Sequence, residues 1–367
     1  MKCAFPGASI AVTHAGKLVA LKSFGKFVFE DDLAGGPLLS RLSGQGGDFD
    51  SEILLSTLFD LASVTKAIAT STMAMILYER GVLELDAPIS GTVPEFVAGD
   101  ARRRDVTFRM LLAHSSGLPA YEKLFLKARD RNELLHAALT TELTAYPGMH
   151  AEYSDLGFII LGVALERLAG EPLDSFCQRE IFGPLGMLNT TFNPPRELRA
   201  KIPPTADERE QGVSPAKARS TFRKGIVQGE VQDENAFVLG GVAGHAGLFS
   251  NAEDVARFAN IMLSGGSPIL RPGSVGVFTR RESTPAGTSR ALGWDTPSAP
   301  SQSGKYFGPH SYGHLGYTGT SLWIDPDRQL SVTLLTNRTW PDCSNQAIKE
   351  VRPKIHDAVV EGLEQSY

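Results

Sequence analysis

The chain has 367 residues, with 41 acidic side chains against 36 Lys plus Arg, for a formal charge of −5 at pH 7. Apolar residues make up 42% and charged residues 21%, the balance of a water-exposed globular protein of one or two domains and not that of a basic nucleic-acid-binding surface. Cys3, Cys177 and Cys343 are scattered, forming neither a metal-binding spacing nor a disulfide framework.

No stretch is an unbroken apolar run of the roughly 18 residues a membrane helix needs. The N-terminus, MKCAFPGASIAV, lacks a charged segment followed by a long apolar one. A cytoplasmic location is therefore expected, or a periplasmic or exported one if an export signal has been trimmed.

In chain order, residues 8–13 and 17–24 alternate as two strands joined at His14-Ala15-Gly16. Residues 31–51 are rich in Gly, Ser and Asp and read as a loop. A helix follows at 63–80, closed by Gly81. A short helix is expected after Asp105-Val106-Thr107, ending at Ser115-Ser116-Gly117, with His114 capping or packing its end. Further helices read at 131–140, 156–169 and 172–182, and Pro147-Gly148 is a turn that delivers Tyr153. Residues 193–235 form a long polar connection, a candidate lid. A Gly-rich turn, GGVAGHAGLFS at 240–250, leads into a helix at 252–264. Strands at 320–325 and 329–337, then a helix at 344–364, close the chain.

This order predicts an α+β fold. An antiparallel sheet would be built from both chain ends (1–55 with 255–367) and flanked by terminal helices. A mostly helical subdomain (56–254) would be inserted between them, with a ligand cleft at the seam.

The stretch that carries chemistry is Ser63-Val64-Thr65-Lys66. Three residues apart, the two side chains share one helix face. A neutral amine there can take the proton of a serine hydroxyl and make it a nucleophile. The alternative is an N-cap serine followed by a solvated lysine. The flanks, Leu58-Phe59-Asp60-Leu61-Ala62 and Ala67 to Leu77, are apolar on nearly all sides, so Lys66 is expected to be buried, where it must find partners or lose its charge.

The segment FDLASVTKAIA with LYERGVLELDAPI resembles the first motif region of the serine β-lactamase and penicillin-binding protein superfamily. It is most similar to the class C-like branch, which includes DD-carboxypeptidases, D-aminopeptidases and family VIII esterases. VTFRMLLAHSSGLP at 106–119, Tyr153-Ser154-Asp155 and GHLGYTGTSLWIDP at 313–326 follow in the order that branch shows. The resemblance runs from about residue 5 to about residue 340.

The resemblance implies a β-lactamase/DD-peptidase-like fold and a serine hydrolase that needs no cofactor or metal. Ser63 would be the nucleophile, Lys66 and Tyr153 would move protons, and the backbone N–H groups of Ser63 and Tyr317 would form the oxyanion hole. A phenol beside a protonated lysine is expected to have a lowered pKa and to accept the serine proton. Whether Lys66 or Tyr153 is the formal base stays open. Gly316 would let the ligand approach the backbone.

Two positions depart from the family pattern. Asp155 replaces the usual Asn and cannot donate to a substrate carbonyl when ionised. It would also hold Lys66 as ammonium, or simply cap the helix starting at Leu156. His314 replaces the third-motif lysine and is expected to hydrogen-bond a substrate carboxylate, weakly unless protonated, or to be a polar residue of an edge strand. These departures place a small ester or amide, possibly a D-amino-acid peptide, ahead of a β-lactam as substrate. A class C-like β-lactamase and an acylated or ligand-binding sensor without turnover remain alternatives.

Other clusters carry less. His310 and His314 are not a metal pair, since no H-E-x-x-H accompanies them. His245 reads as a structural turn residue or a cleft residue. Glu230, Asp233, Glu234 and Asn235 read as a solvated loop or a substrate entrance.

Overall fold

The structure, a computed structural model, describes residues 4–33, 49–208, 223 and 225–365. Most of the loop expected at 31–51, part of the 193–235 connection and Cys3 lie outside the described residues.

The expected first hairpin forms from β1 (Gly7–His14) and β2 (Lys17–Gly25), turning at Ala15 and Gly16, both at positive φ. Two short strands, β3 (Phe59–Asp60) and β4 (Thr191–Phe192), flank β5 (Leu248–Ser250) in a small antiparallel sheet. Near the C-terminus come β6 (Tyr312–Leu315), β7 (Ser321–Asp325) and β8 (Leu330–Thr336). The main sheet has the order β2-β1-β8-β7-β6, so β1 pairs with a strand more than 300 residues away, Val12 opposite Val332.

Period-two alternation gives this sheet two apolar faces. Ala11, Ile324 and Leu335 face the main core, which also contains Val255, Phe258 and Met262 of the helix Ala252–Leu263. Val12, Trp323, Leu330 and Val332 face the opposite way, packing with Val360 of the last helix. The helices used below are α1 (Thr72–Glu79), α2 (Arg131–Thr140), α3 (Asp155–Ala169), α4 (Ala252–Leu263), α5 (Pro272–Thr279) and α6 (Ile348–Glu364). α5 was not legible in the sequence. In α4, Val255, Ala256, Phe258, Ala259 and Met262 form the buried stripe, and Asn251 caps its start by accepting the Asp254 N–H at 2.9 Å.

The helix expected at 63–80 is not uniform. Lys66–Ser71 winds more widely than an α-helix before α1 begins, and every residue from Lys66 to Leu77 is buried. Wide turns of this kind recur at functional sites, because they re-aim side chains that a regular helix would stack.

Candidate active site

Ser63 sits on a tight turn between β3 and the buried helix. Ala62, just before it, has φ +46°, a region that costs a side chain with a Cβ energy. The surroundings hold that strain in place. Asp60 accepts the Ala62 N–H at 2.8 Å, Leu61 N–H donates to Leu248 O at 2.9 Å, and Leu248 N–H donates to Thr65 Oγ1 at 3.1 Å. Asp60 also accepts the Gln232 N–H at 2.6 Å, tying the 193–235 connection to this turn. Burial pushes the Asp60 carboxyl up to about 6.

Lys66 is fully buried, as its sequence context required. Its Nζ donates to Ser63 Oγ at 2.9 Å, to Asp155 Oδ1 at 2.6 Å and to the carbonyl of His245 at 2.9 Å. Burial pulls the amine below its ordinary value, opposed by the Asp155 carboxylate. The ammonium-holding effect expected of Asp155 is present, then, but desolvation outweighs it.

The His245 carbonyl reaches Lys66 because the Gly-rich turn lies directly on α3. A Cβ on Gly244 would stand 2.1 Å from Phe158 O, so only glycine fits there. The His245 side chain is buried, with Nε2 2.7 Å from Asp233 Oδ1. Asp233 also caps the short helix Glu234–Val238 through the Ala236 N–H. Asp233 and Glu234 line the cleft, Glu230 pairs with Arg199, and Asn235 is buried against the 122–125 backbone.

Asp155 is not the helix cap. Ser154 fills that place, its Oγ accepting the Gly157 N–H at 3.1 Å, which frees the next side chain to turn inward to Lys66. Tyr153 packs on His114 at 4.6 Å between ring centroids, with Lys66 Nζ 4.9 Å from its own ring centroid. His114, at φ +57°, accepts the Ser154 N–H on Nδ1 at 3.0 Å and thereby fixes the start of α3. The guanidinium of Arg290, paired with Asp295, covers Tyr153 at 5.4 Å, a contact with no signal in the sequence.

The lowered phenol pKa expected of Tyr153 is corrected by this environment. Burial, reinforced by the Asp155 carboxylate, pushes it well above the usual tyrosine value, so the group is a neutral phenol. His314 is corrected likewise. It lies on edge strand β6, and burial beside Lys66 depresses its pKa to about 3. Its Nδ1 is 2.8 Å from Leu315 O, which assigns the proton to that nitrogen. Nε2 is left as a buried acceptor without a partner among the described residues, so this ring offers a substrate carboxylate neither a charge nor a donor. His310 is exposed and pairs with Asp327.

Gly316 serves the protein backbone. A Cβ there would lie 1.9 Å from Thr320 Oγ1 and 2.6 Å from Leu61 O. Its absence lets the β6–β7 hairpin press on the Ser63 turn, where Thr318 and Thr320 donate to the carbonyls of Asp60 and Leu61 at 2.7 and 3.0 Å. Arg338 Nε donates to Tyr317 O at 2.7 Å and orients that peptide. The N–H groups of Ser63 and Tyr317 have no acceptor among the described residues. Ser63, Tyr153, Asp155, His314, Gly316 and Tyr317 all line one cavity of about 740 Å³, with Lys66 beneath its floor.

The family model described as Beta-lactamase matches residues 1–352. The chain belongs to the β-lactamase family. It is a serine hydrolase of that family and has its α+β fold. An N-acetylmuramyl-L-alanine amidase of Bacillus subtilis (strain 168) is 32% identical over 355 residues, covering 91% of this chain and 77% of that protein. A putative D-alanyl-D-alanine carboxypeptidase of Escherichia coli (strain K12) is 32% identical over 332 residues, covering 80% and 74%. In fold alone, the chain is similar to a class C β-lactamase of Rhodobacter sphaeroides, with a TM-score of 0.66 and 20% identity over 96% of this chain and 95% of that one. Among the described residues no helix is long and apolar enough to cross a membrane.

Proposed function

We propose that this β-lactamase-family hydrolase cleaves small amides or esters through an acyl-enzyme on Ser63, with cell-wall-type peptide amides ahead of β-lactams. The observation that carries the reading is the 2.9 Å contact between Ser63 Oγ and the amine of fully buried Lys66. Ser63 attacks the substrate carbonyl and gives up its proton to Lys66, whose neutral form burial favours. The N–H groups of Ser63 and Tyr317 take the charge that builds on the carbonyl oxygen. Tyr153, held neutral, is a proton donor for the leaving group rather than a phenolate base. Water then releases the acyl group by the reverse route.

The names of the two relatives, an amidase and a putative carboxypeptidase, support an amide substrate. A neutral His314 takes away the one cation that the third motif would give a free carboxylate, which argues against efficient β-lactam capture. We also propose, on the sheet built from residues 7–25 and 312–336, the division into 1–55 with 255–367 and 56–254.

The test is hydrolysis of p-nitrophenyl butyrate by wild type and Ser63→Ala, with the pre-steady-state phase recorded. A burst followed by steady turnover in wild type, absent in Ser63→Ala, is expected. Equal bursts in both proteins would overturn the assignment of Ser63. If the ester is inert to both, intact mass after penicillin decides the matter. A Ser63 adduct keeps the nucleophile, and no adduct with no product removes the β-lactamase and acylated-sensor alternatives. Hydrolysis of nitrocefin at a rate typical of a dedicated β-lactamase would reverse the proposed order of substrates.

A further inference from the structure

An ammonium has three N–H donors and no acceptor. All three of Lys66 are spent, on Ser63 Oγ, Asp155 Oδ1 and His245 O. In that state Nζ has no lone pair for the Ser63 proton, and one hydrogen must leave first. The amine is fully buried, so water does not stand ready to take it. Of its three acceptors, a hydroxyl and a peptide carbonyl are far too weakly basic to be protonated near neutral pH. The third is a carboxylate 2.6 Å away, on a side chain that is 17% exposed.

We infer that Asp155 is a catalytic residue: it is the terminal proton acceptor for acylation, with Lys66 as the conduit between it and Ser63. This rests on the reading of Ser63 as nucleophile given above. Lys66 passes one hydrogen to Asp155 Oδ1, turning an ion pair into a neutral amine and a carboxylic acid. In a site that penalises charge, the neutral pair is the less costly of the two to hold dry. A one-third turn about Cε–Nζ brings the freed lone pair to Ser63 while leaving one N–H on His245 O and one on Asp155.

The Ser63 O–H bond then breaks as Oγ bonds the acyl carbon, and its proton goes to Nζ. When the bond from the acyl carbon to the leaving group breaks, the leaving group takes a proton from the Tyr153 hydroxyl, Nζ returns the Ser63 proton to that oxygen, and Lys66 recovers its own from Asp155. No proton is exchanged with solvent during acylation. The amide found at this position in the class C-like branch cannot do this, because it has no proton-accepting charge.

The competing idea is that Asp155 only holds Lys66 as ammonium and slows it. The two differ in sign. If Asp155 is the acceptor, the competent state is the Lys66–Asp155 pair carrying one proton. Asp155→Asn must then lose a Lys66 proton to solvent, so the rising limb of acylation moves to higher pH and the rate near pH 7 falls by about 10²-fold. If Asp155 is a brake, the same variant frees the amine, the limb moves to lower pH and acylation near pH 7 quickens.

Other charged and titratable groups face this pair. Burial pushes Tyr153 and Tyr121 up and His114 and His314 down. Arg290 and Asp233 also act on Lys66 at a distance. His245 adds an imidazole bonded to Asp233, which His245→Asn removes while keeping the backbone carbonyl.

The experiment measures burst rates with p-nitrophenyl butyrate from about pH 5 to about pH 9.5. The proteins are wild type, Ser63→Ala, Asp155→Asn, Asp155→Glu and His245→Asn. Expected are a limb moved to higher pH in Asp155→Asn, a limb near wild type in Asp155→Glu, and in His245→Asn, which unpairs Asp233, a displacement smaller than that of Asp155→Asn. Asp155→Ser replaces the amide variant should that not fold, with the same expected displacement. A limb that moves down, or unchanged acylation in the amide variant, overturns the role of Asp155, as does a limb that vanishes with His245. A burst that survives Ser63→Ala overturns the serine reading instead, so the two failures are distinct.

Discussion

Thr320 Oγ1 lies 3.0 Å from the carbonyl oxygen of Leu61, to which it donates, and together with Gly316 it clamps the β6–β7 hairpin onto the turn that presents Ser63. Through this clamp one rigid unit carries both the Ser63 and the Tyr317 N–H groups. Thr320→Val keeps the shape and removes the hydroxyl. We expect about a tenfold loss of kcat with KM little changed, the mark of an interaction made mainly in the transition state. Gly316→Ala is harsher, because its Cβ would fall 1.9 Å from Thr320 Oγ1. A loss of about 1–3 kcal/mol in urea unfolding and a larger drop in kcat are expected. Normal activity in both variants would show that the hairpin does not position the site.

The state of His314 predicts how KM responds to pH. With a pKa near 3, the ring stays neutral as pH falls from about 7 to about 5. KM for a peptide ending in a free carboxylate is therefore expected to stay flat over that range, in wild type and in His314→Gln alike. A KM that falls with acidification in wild type only would mean that the ring charges and captures the carboxylate.

Folding stability has opposing acid terms. His314 and His356 are both depressed to about 3 by burial, whereas the unfolded chain takes up those protons near 6.5. The unfolded state therefore binds more protons, and stability falls as pH drops from about 6.5 toward 3. Asp60 acts in the other direction. Its carboxyl is raised from 3.8 to about 6, so its term is lost as pH rises through that interval. His356 has no hydrogen-bond partner on either ring nitrogen among the described residues and packs edge-on to Phe307 at 5.5 Å. Replacing it by leucine should recover about 2 kcal/mol near pH 5 relative to wild type, with a smaller difference near pH 8, by urea titration at both pH values. An equal effect at both would remove the titration of His356 as the cause.

Much of the site was legible because its chemistry is local. The spacing of Ser63 and Lys66, the apolar residues around them and the glycine before Tyr317 are properties of short segments. Hydrophobic period likewise disclosed both strands of the first hairpin, α3, α4 and the C-terminal strands. The clamp formed by Thr318 and Thr320 left no trace of its role, since a threonine in a strand ordinarily serves propensity alone. Arg290 was silent for a similar reason. Its contact with Tyr153 joins residues 137 positions apart, and nothing in RALGW marks it. The run GGVAGHAG did carry a signal, a backbone that must come unusually close to something, but not that the neighbour was α3 or that the benefit went to Lys66.

The sequence by itself determined which functional groups are present and which of them share a helix turn: a serine, a lysine one turn on, and a carboxylate two residues beyond a tyrosine. Tertiary structure alone decided their protonation. Proton affinity depends on desolvation and on charges a few ångströms away, and here those come from segments 89 and 179 residues distant along the chain. Burial keeps Tyr153 a neutral phenol and makes His314 a neutral acceptor. Packing of α3 against the wide turn at Lys66 set Asp155 at hydrogen-bond distance from the amine, a relationship that no spacing in the sequence encodes.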